Sequence, residues 1–189
     1  MKLKNVLIAL PLFGLLFSPV QAQEKLTLKS SKITISGNST MHKWSSKATD
    51  VSMSADVVIE DGVVKNISSG KVVIKTASLK SHNDSDLMDS RTHETLKAEK
   101  YPTINYSFEK LLSADAQGNC KIQGKLTLAG VTKPLNLDIK ISTIGGNVTI
   151  VGSKSFTMSS FGVKPPSFLA GTLKVDDLVA IDFEVVLKQ

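Results

Sequence analysis

Val179-Ala180-Ile181-Asp182-Phe183-Glu184-Val185-Val186-Leu187-Lys188 carries an apolar residue at every odd position from 179 to 187, with mostly polar or small residues between. Side chains alternate across a strand, so this period of two marks one dry face and one wet face. Leu135, Leu137, Ile139 and Ile141 repeat the pattern, with Asn136, Asp138 and Lys140 between them. Working outward, the same reading places strands over 26–29, 32–37, 50–60, 63–67, 71–79, 103–110, 121–129, 133–143, 147–158 and 178–188. The connections carry turn chemistry, as in Glu60-Asp61-Gly62, Asp115-Ala116-Gln117-Gly118-Asn119 and Gly145-Gly146-Asn147. Glycine and asparagine tolerate the positive φ of tight hairpins, and short connections imply antiparallel neighbours in up-and-down order.

Two stretches leave the pattern. Residues 84–100 are polar and rich in helix formers, ending before Tyr101-Pro102. A short helix is expected there, starting near Thr92 with Asp89 or Ser90 as caps, at one end of the sheet. Residues 159–171 contain the adjacent Pro165 and Pro166, which exclude a central strand. Phe161, Phe168 and Leu169 are apolar residues on that loop. They suit either a cap on a core or the entrance to a cavity.

The amino terminus reads as an address. Lys2 and Lys4 precede an apolar run from Val6 to Phe17, and Pro19-Val20-Gln21-Ala22 offers small residues for cleavage. A signal peptide over 1–22 is expected, leaving one domain over 23–189. The protein is then exported, and periplasmic if the cell is Gram-negative. The single Cys120 excludes an intramolecular disulfide framework and reads as a buried, inert thiol. The chain is net +6, and loss of Lys2 and Lys4 leaves +4 scattered along the strands. A nucleic-acid platform needs a concentrated basic stripe with stacking aromatics, so nucleic acid is excluded as a partner and transient contact with anionic membrane headgroups is the expected consequence.

About eight or more antiparallel strands in one domain make a closed barrel or a two-sheet sandwich. A barrel of that size is either filled by side chains or wide enough for one small ligand. Val51, Met53, Ala55, Val57 and Ile59 form one inward set; Ile104, Tyr106 and Phe108 form another; Ile122, Gly124, Leu126 and Leu128 a third. Gly124 and Ala55 leave space that a packed core would fill. Alternation alone does not separate a cavity from a solid core.

No catalytic constellation stands out. His42, His82 and His93 lack the short spacing of metal ligands, and no metal is expected. Asp84, Asp86 and Asp89 resemble part of a calcium loop without its Gly and terminal Glu. Gly-x-Ser-x-Gly does not occur.

Four blocks carry a family resemblance. Ser39-Thr40-Met41-His42-Lys43-Trp44 resembles the Ser-Thr-x-His-x-Trp signature of the YceI-like family. Asp86-Leu87-Met88-Asp89 through Leu96, then Tyr101-Pro102-Thr103-Ile104, resembles its central helix and Tyr-Pro block. Gly124-Lys125-Leu126-Thr127-Leu128-Ala129-Gly130-Val131-Thr132-Lys133-Pro134 is similar to its hairpin block, and Ser160-Phe161-Gly162-Val163 to a further one. The order is the family's and the blocks span nearly the whole mature chain.

The resemblance implies an all-β fold, an up-and-down lipocalin-like barrel of about eight strands with a helical insert near 84–100. It implies a non-catalytic carrier of a polyisoprenoid-type or similar amphiphilic lipid, with no other cofactor, as monomer or homodimer. The barrel lining is then assigned to Met53 and Val57, to Ile104, Tyr106 and Phe108, and to Leu126 and Leu128. Further along the chain it takes in Leu137 and Ile139, Phe156, Phe161, Phe168, Ile181 and Phe183. A polar headgroup would meet His42, Lys43, His82, Arg91, His93 and Lys164 at the rim. Two alternatives stand beside this: an enzyme acting on a small lipid-like substrate, and a solid-core, stress-related interaction domain.

Overall fold

The computed structural model describes residues 23–60 and 63–188. The expected signal peptide and the centre of the Glu60-Asp61-Gly62 turn lie outside the described residues. The chain runs β1 (Glu24–Ser39), β2 (Lys43–Ala48), β3 (Val51–Glu60), β4 (Val63–Lys75), β5 (Leu79–Ser81), α1 (Asp86–Leu96), β6 (Thr103–Ala114), β7 (Asn119–Leu128), β8 (Val131–Ile144), β9 (Asn147–Thr157), β10 (Ser167–Phe168) and β11 (Leu173–Lys188). A 3₁₀ turn at Met158–Phe161 follows β9.

Strand order gives a ring, β1-β3-β4-β6-β7-β8-β9-β11, closed by antiparallel pairing of β11 with β1. Every described ladder is antiparallel. Pairing Thr27 with Ser54 and Thr34 with Lys47 puts β3 and β2 on β1 in one register. They act as a single strand broken at Thr49-Asp50, and β5 continues β4 beside β2 in the same way. The barrel therefore has eight staves, and the alternative of two separate sheets is excluded. Closure pairs the two outer edges of the sheet with each other, the edges through which another chain could otherwise add a strand.

Several sequence boundaries merge or move. The expected strands 26–29 and 32–37 are one continuous β1, and 63–67 and 71–79 are largely one β4. β2 has no strong alternation and was not anticipated; it forms because β1 is long enough to need a second partner. α1 starts earlier than Thr92. Ser85 is its N-cap and accepts a bond from the Met88 amide, so neither Asp89 nor Ser90 caps it. Asp89 is instead inside the first turn and 5 % exposed, taken up by partners outside the helix.

Two-residue turns close β7–β8 and β8–β9. Ala129 and Gly130, and Gly145 and Gly146, all hold positive φ, the geometry that matches strand twist in tight hairpins. At the Ala129-Gly130 end the Tyr101 ring lies directly over Gly130, where a side chain would collide with it. The Tyr-Pro and hairpin blocks thus meet in space as packing partners.

The ring is not evenly bonded. β8 pairs with β9 only from Asp138↔Ser153 onward, so residues 131–137 and 154–157 splay apart. The Met158–Phe161 turn and Val163 fill this splay, in a cluster with Leu126, Leu128 and Val179. The opposite end is closed by a second cluster around Leu26, Val57, Ile122, Ile141, Val148 and Leu187.

Candidate functional site: an apolar cavity with a polar mouth

Alternation aims the odd positions of β3 and β11, and the even positions of β6, β7 and β9, at the barrel axis. At the packed end these side chains touch one another: Leu26 is 1 %, Val148 2 % and Leu187 0 % exposed. Further up the same strands, Met53, Tyr106, Phe108, Ile150, Phe156, Ile181 and Phe183 face inward yet remain only half-buried. Neighbours do not cover them, because a cavity of about 300 Å³ lies between them. That size is at the low end of small-molecule pockets.

The wall collects most of the expected lining. Met53 and Val57 come from β3; Ile104, Tyr106 and Phe108 from β6; Leu126 and Leu128 from β7. Leu137 and Ile139 come from β8, Phe156 from β9, Phe168 from β10, and Ile181 and Phe183 from β11. Phe161 does not line the cavity. It is 2 % exposed and packs edge-on against Phe156, with centroids 5.2 Å apart, because the 3₁₀ turn uses it to plug the β8–β9 splay.

The glycine argument also changes. A Cβ on Gly124 would lie within 2.6 Å of the Ser107 carbonyl and closer still to the Tyr106 ring. Gly37 is covered by Trp44 and Gly152 by Phe183 in the same way. These glycines seat aromatic rings flat on the wall. The free volume arises above the packed floor, where the rows of side chains no longer meet. Ala55 is 4 % exposed, part of that packed region. Tyr106 Oη donates to the Leu135 carbonyl at 3.1 Å. Burial, aided by the charge on Glu109, pushes its phenol up to about 12.

The mouth is built by the β1–β2 turn, α1 and β10. Ser39 Oγ accepts from the Met41 and His42 amides and donates to the His42 carbonyl, which fixes the turn and leaves His42 at the opening. Trp44 donates its indole N–H to the Asn38 carbonyl at 3.2 Å and lines the upper wall. From α1, Met88, Arg91, Thr92, Thr95 and Leu96 face the cavity. Arg91 sits over the Phe168 ring, 4.0 Å from its centroid, so helix and loop meet across the opening.

Of the rim set, only His42 and Arg91 reach the cavity. Lys43, His82 and Lys164 are exposed on outer surfaces. His93 is turned the other way, with Nε2 2.9 Å from the Leu79 carbonyl, a contact that ties α1 to β5. Asp89 does similar work. It accepts from the Ser81 amide at 2.6 Å and pairs with Lys80 at 3.0 Å. Burial pushes its carboxyl upward, but the Ser81 and Lys80 contacts outweigh this and hold it below the ordinary value. Cys120 is buried beside the floor, and burial, with the nearby Asp115, raises its thiol.

Sequence reading missed Lys154 at the cavity, along with Ser46. The signal for Lys154 was present: it occupies an even, inward position of β9 between Ile150 and Phe156. Among the described residues, no group of three or more His, Cys, Asp or Glu is placed to hold a metal ion, and no helix is long and apolar enough to cross a membrane.

A model of the YceI-like domain family matches residues 25–187. BcnA of Burkholderia cenocepacia superposes with a TM-score of 0.67 at 20 % identity, over 82 % of this chain and 95 % of that one. A polyisoprenoid-binding domain from Saccharophagus degradans, implicated in plant cell wall breakdown, gives 0.65 at 12 % identity, over 86 % and 97 %. The YCEI protein of Campylobacter jejuni gives 0.57 at 18 % identity, over 100 % and 91 %. These likenesses are of fold. No curated protein sequence matches the chain.

Proposed function

The chain belongs to the YceI-like domain family, and from that premise we propose that it is a non-catalytic carrier that holds the apolar tail of an amphiphilic lipid inside the barrel. The observation that carries this reading is the set of inward apolar side chains left half-buried around a cavity of about 300 Å³. Each methylene transferred from water to such a wall contributes about 0.8 kcal/mol. Ten of them give about 8 kcal/mol, enough for micromolar affinity before ordering costs, with no directional contact required. The solved domain from Saccharophagus degradans is described as polyisoprenoid-binding, which supports a polyisoprenoid-type tail here. No other cofactor is part of this proposal.

Export to the periplasm is proposed on the leader-like residues 1–22, and delivery by transient contact with a membrane surface on the exposed Met41 and Leu169 in loops at the mouth end. The test is solvent extraction of the protein purified from its native compartment, followed by mass spectrometry. A stoichiometric amphiphile is expected. Protein that is ligand-free as isolated and takes up no lipid from vesicles would sink the carrier reading.

A further inference from the structure

Lys154 lies in the middle of an apolar wall. It pairs across the ladder with Ile181, which pairs with Ile35, which pairs with Ser46, so these four residues form one inward rung. Phe156 is the next inward residue toward the mouth; Gly152, Ile150 and Val148 lead down to the floor. Six residues from Lys154 to Val148 span about 20 Å of strand. With the strands of a small barrel tilted by about 40°, that is an axial depth of roughly 15 Å below the lysine.

The charge inside the cavity has one sign. No Asp or Glu is among its lining residues, whereas His42, Lys71, Arg91 and Lys154 are. Three of these four are accounted for. His42 is exposed at the opening, Lys71 is an exposed residue on the outer side of β4, and Arg91 covers the Phe168 ring. Lys154 is half-buried, and its side chain makes no hydrogen bond, ion pair or ring contact with any described residue. An ammonium held among Ile, Leu and Phe without a partner is costly, and a bound anion removes that cost.

We infer that Lys154 makes the pocket acid-selective: the cavity takes a single-chain amphiphile whose carboxylate or phosphate head is held on the Lys154 ammonium inside the barrel, with its chain running down to the floor. The head then sits below the rim, and the rim cations serve entry. This rests on the lipid-carrier reading and specifies the chemistry of its ligand.

The test compares matched probes on delipidated full-length mature protein: cis-parinaric acid against its methyl ester, and farnesyl phosphate against farnesol. Wild type is expected to prefer the charged member of a pair by about ten- to a hundred-fold, the range of a charge-assisted hydrogen bond. Lys154→Met is expected to abolish that preference by weakening the acid while leaving the ester or alcohol unchanged; Lys154→Arg is expected to keep it. The pair that shows the larger preference tells a carboxylate head from a phosphate head. Lys154→Gln, with circular dichroism on all variants, guards against a folding artefact. Equal affinity for charged and neutral probes in wild type, or a preference that survives Lys154→Met, overturns the role of Lys154 while leaving the carrier reading standing. Wild type that binds none of the four probes overturns both.

Discussion

Replacing Gly124 by Ala should destabilise the barrel far beyond what one methyl group suggests. Gly124 has ordinary strand backbone, so alanine would by itself be favoured there by about 0.5–1 kcal/mol. Opposing this, the new Cβ would stand within 2.6 Å of the Ser107 carbonyl and closer to Tyr106 Cζ and Oη. Comfortable separation for such atoms is about 3.5–4.0 Å. The Ser107 carbonyl is fixed in the β6–β7 ladder, where Phe108 faces Gly124 directly. The Tyr106 ring must therefore lift by more than about 1 Å, which breaks its bond to the Leu135 carbonyl, worth about 1 kcal/mol. Overpacking of this kind costs about 1–3 kcal/mol. The net loss is about 2 kcal/mol, or a Tm lower by about 4–8 °C for a domain of this size. Denaturant unfolding of Gly124→Ala, Tyr106→Leu and the double variant measures it, because leucine lacks the colliding Cζ and Oη. The alanine penalty should fall by about half in the Tyr106→Leu background without vanishing, because the clash with the Ser107 carbonyl remains. A penalty below about 0.5 kcal/mol in wild type, or an equal penalty in both backgrounds, would refute the ring-on-glycine account.

Gly152→Ala meets a different neighbour and should behave differently. Its Cβ would approach the far edge of Phe183 at 2.6 Å, and that ring borders the cavity. The ring can swing into free volume, so thermal stability should change less than in Gly124→Ala, while affinity for a lipid probe should fall about ten-fold; unchanged binding with a large stability loss would contradict this. The carboxyl of Asp89 is held below its ordinary value in the folded protein, so its stabilising effect is complete above the unfolded-state value of 3.8 and disappears as pH falls through the lower folded-state value. Asp89→Asn should cost about 2 kcal/mol near neutral pH and flatten the stability profile below about pH 4. Equal acid profiles for the two proteins in urea titrations would exclude Asp89 as the origin.

The fold was legible because alternation is a local property. Val179 to Leu187 and Leu135 to Ile141 each state which face is dry, and tight turns such as Ala129-Gly130 leave antiparallel neighbours as the only geometry. β2 was not legible. Its residues Lys43 to Ala48 carry no clean alternation, and only the long β1 strand beside them supplies a pairing edge. The start of α1 was misplaced because capping depends on which of several Ser and Asp residues has its partners elsewhere. Asp89 is occupied by Ser81 and Lys80, leaving Ser85 to cap.

The site divides along the same line. Composition and alternation were sufficient for the inward apolar set, since a side chain's face is fixed by parity alone. Whether inward residues meet or leave a void depends on how far apart opposite staves stand, and that distance is set by strand number and tilt, which no single strand encodes. The same cause separates Phe161, an apolar loop residue that plugs a splay, from Phe168, another that borders the mouth. It also gathers His42 and Arg91 at the opening while sending Lys43, His82, His93 and Lys164 elsewhere. Lys154 shows the division within one residue: parity alone turns it inward, but only closure of the ring makes that inside a cavity rather than a core.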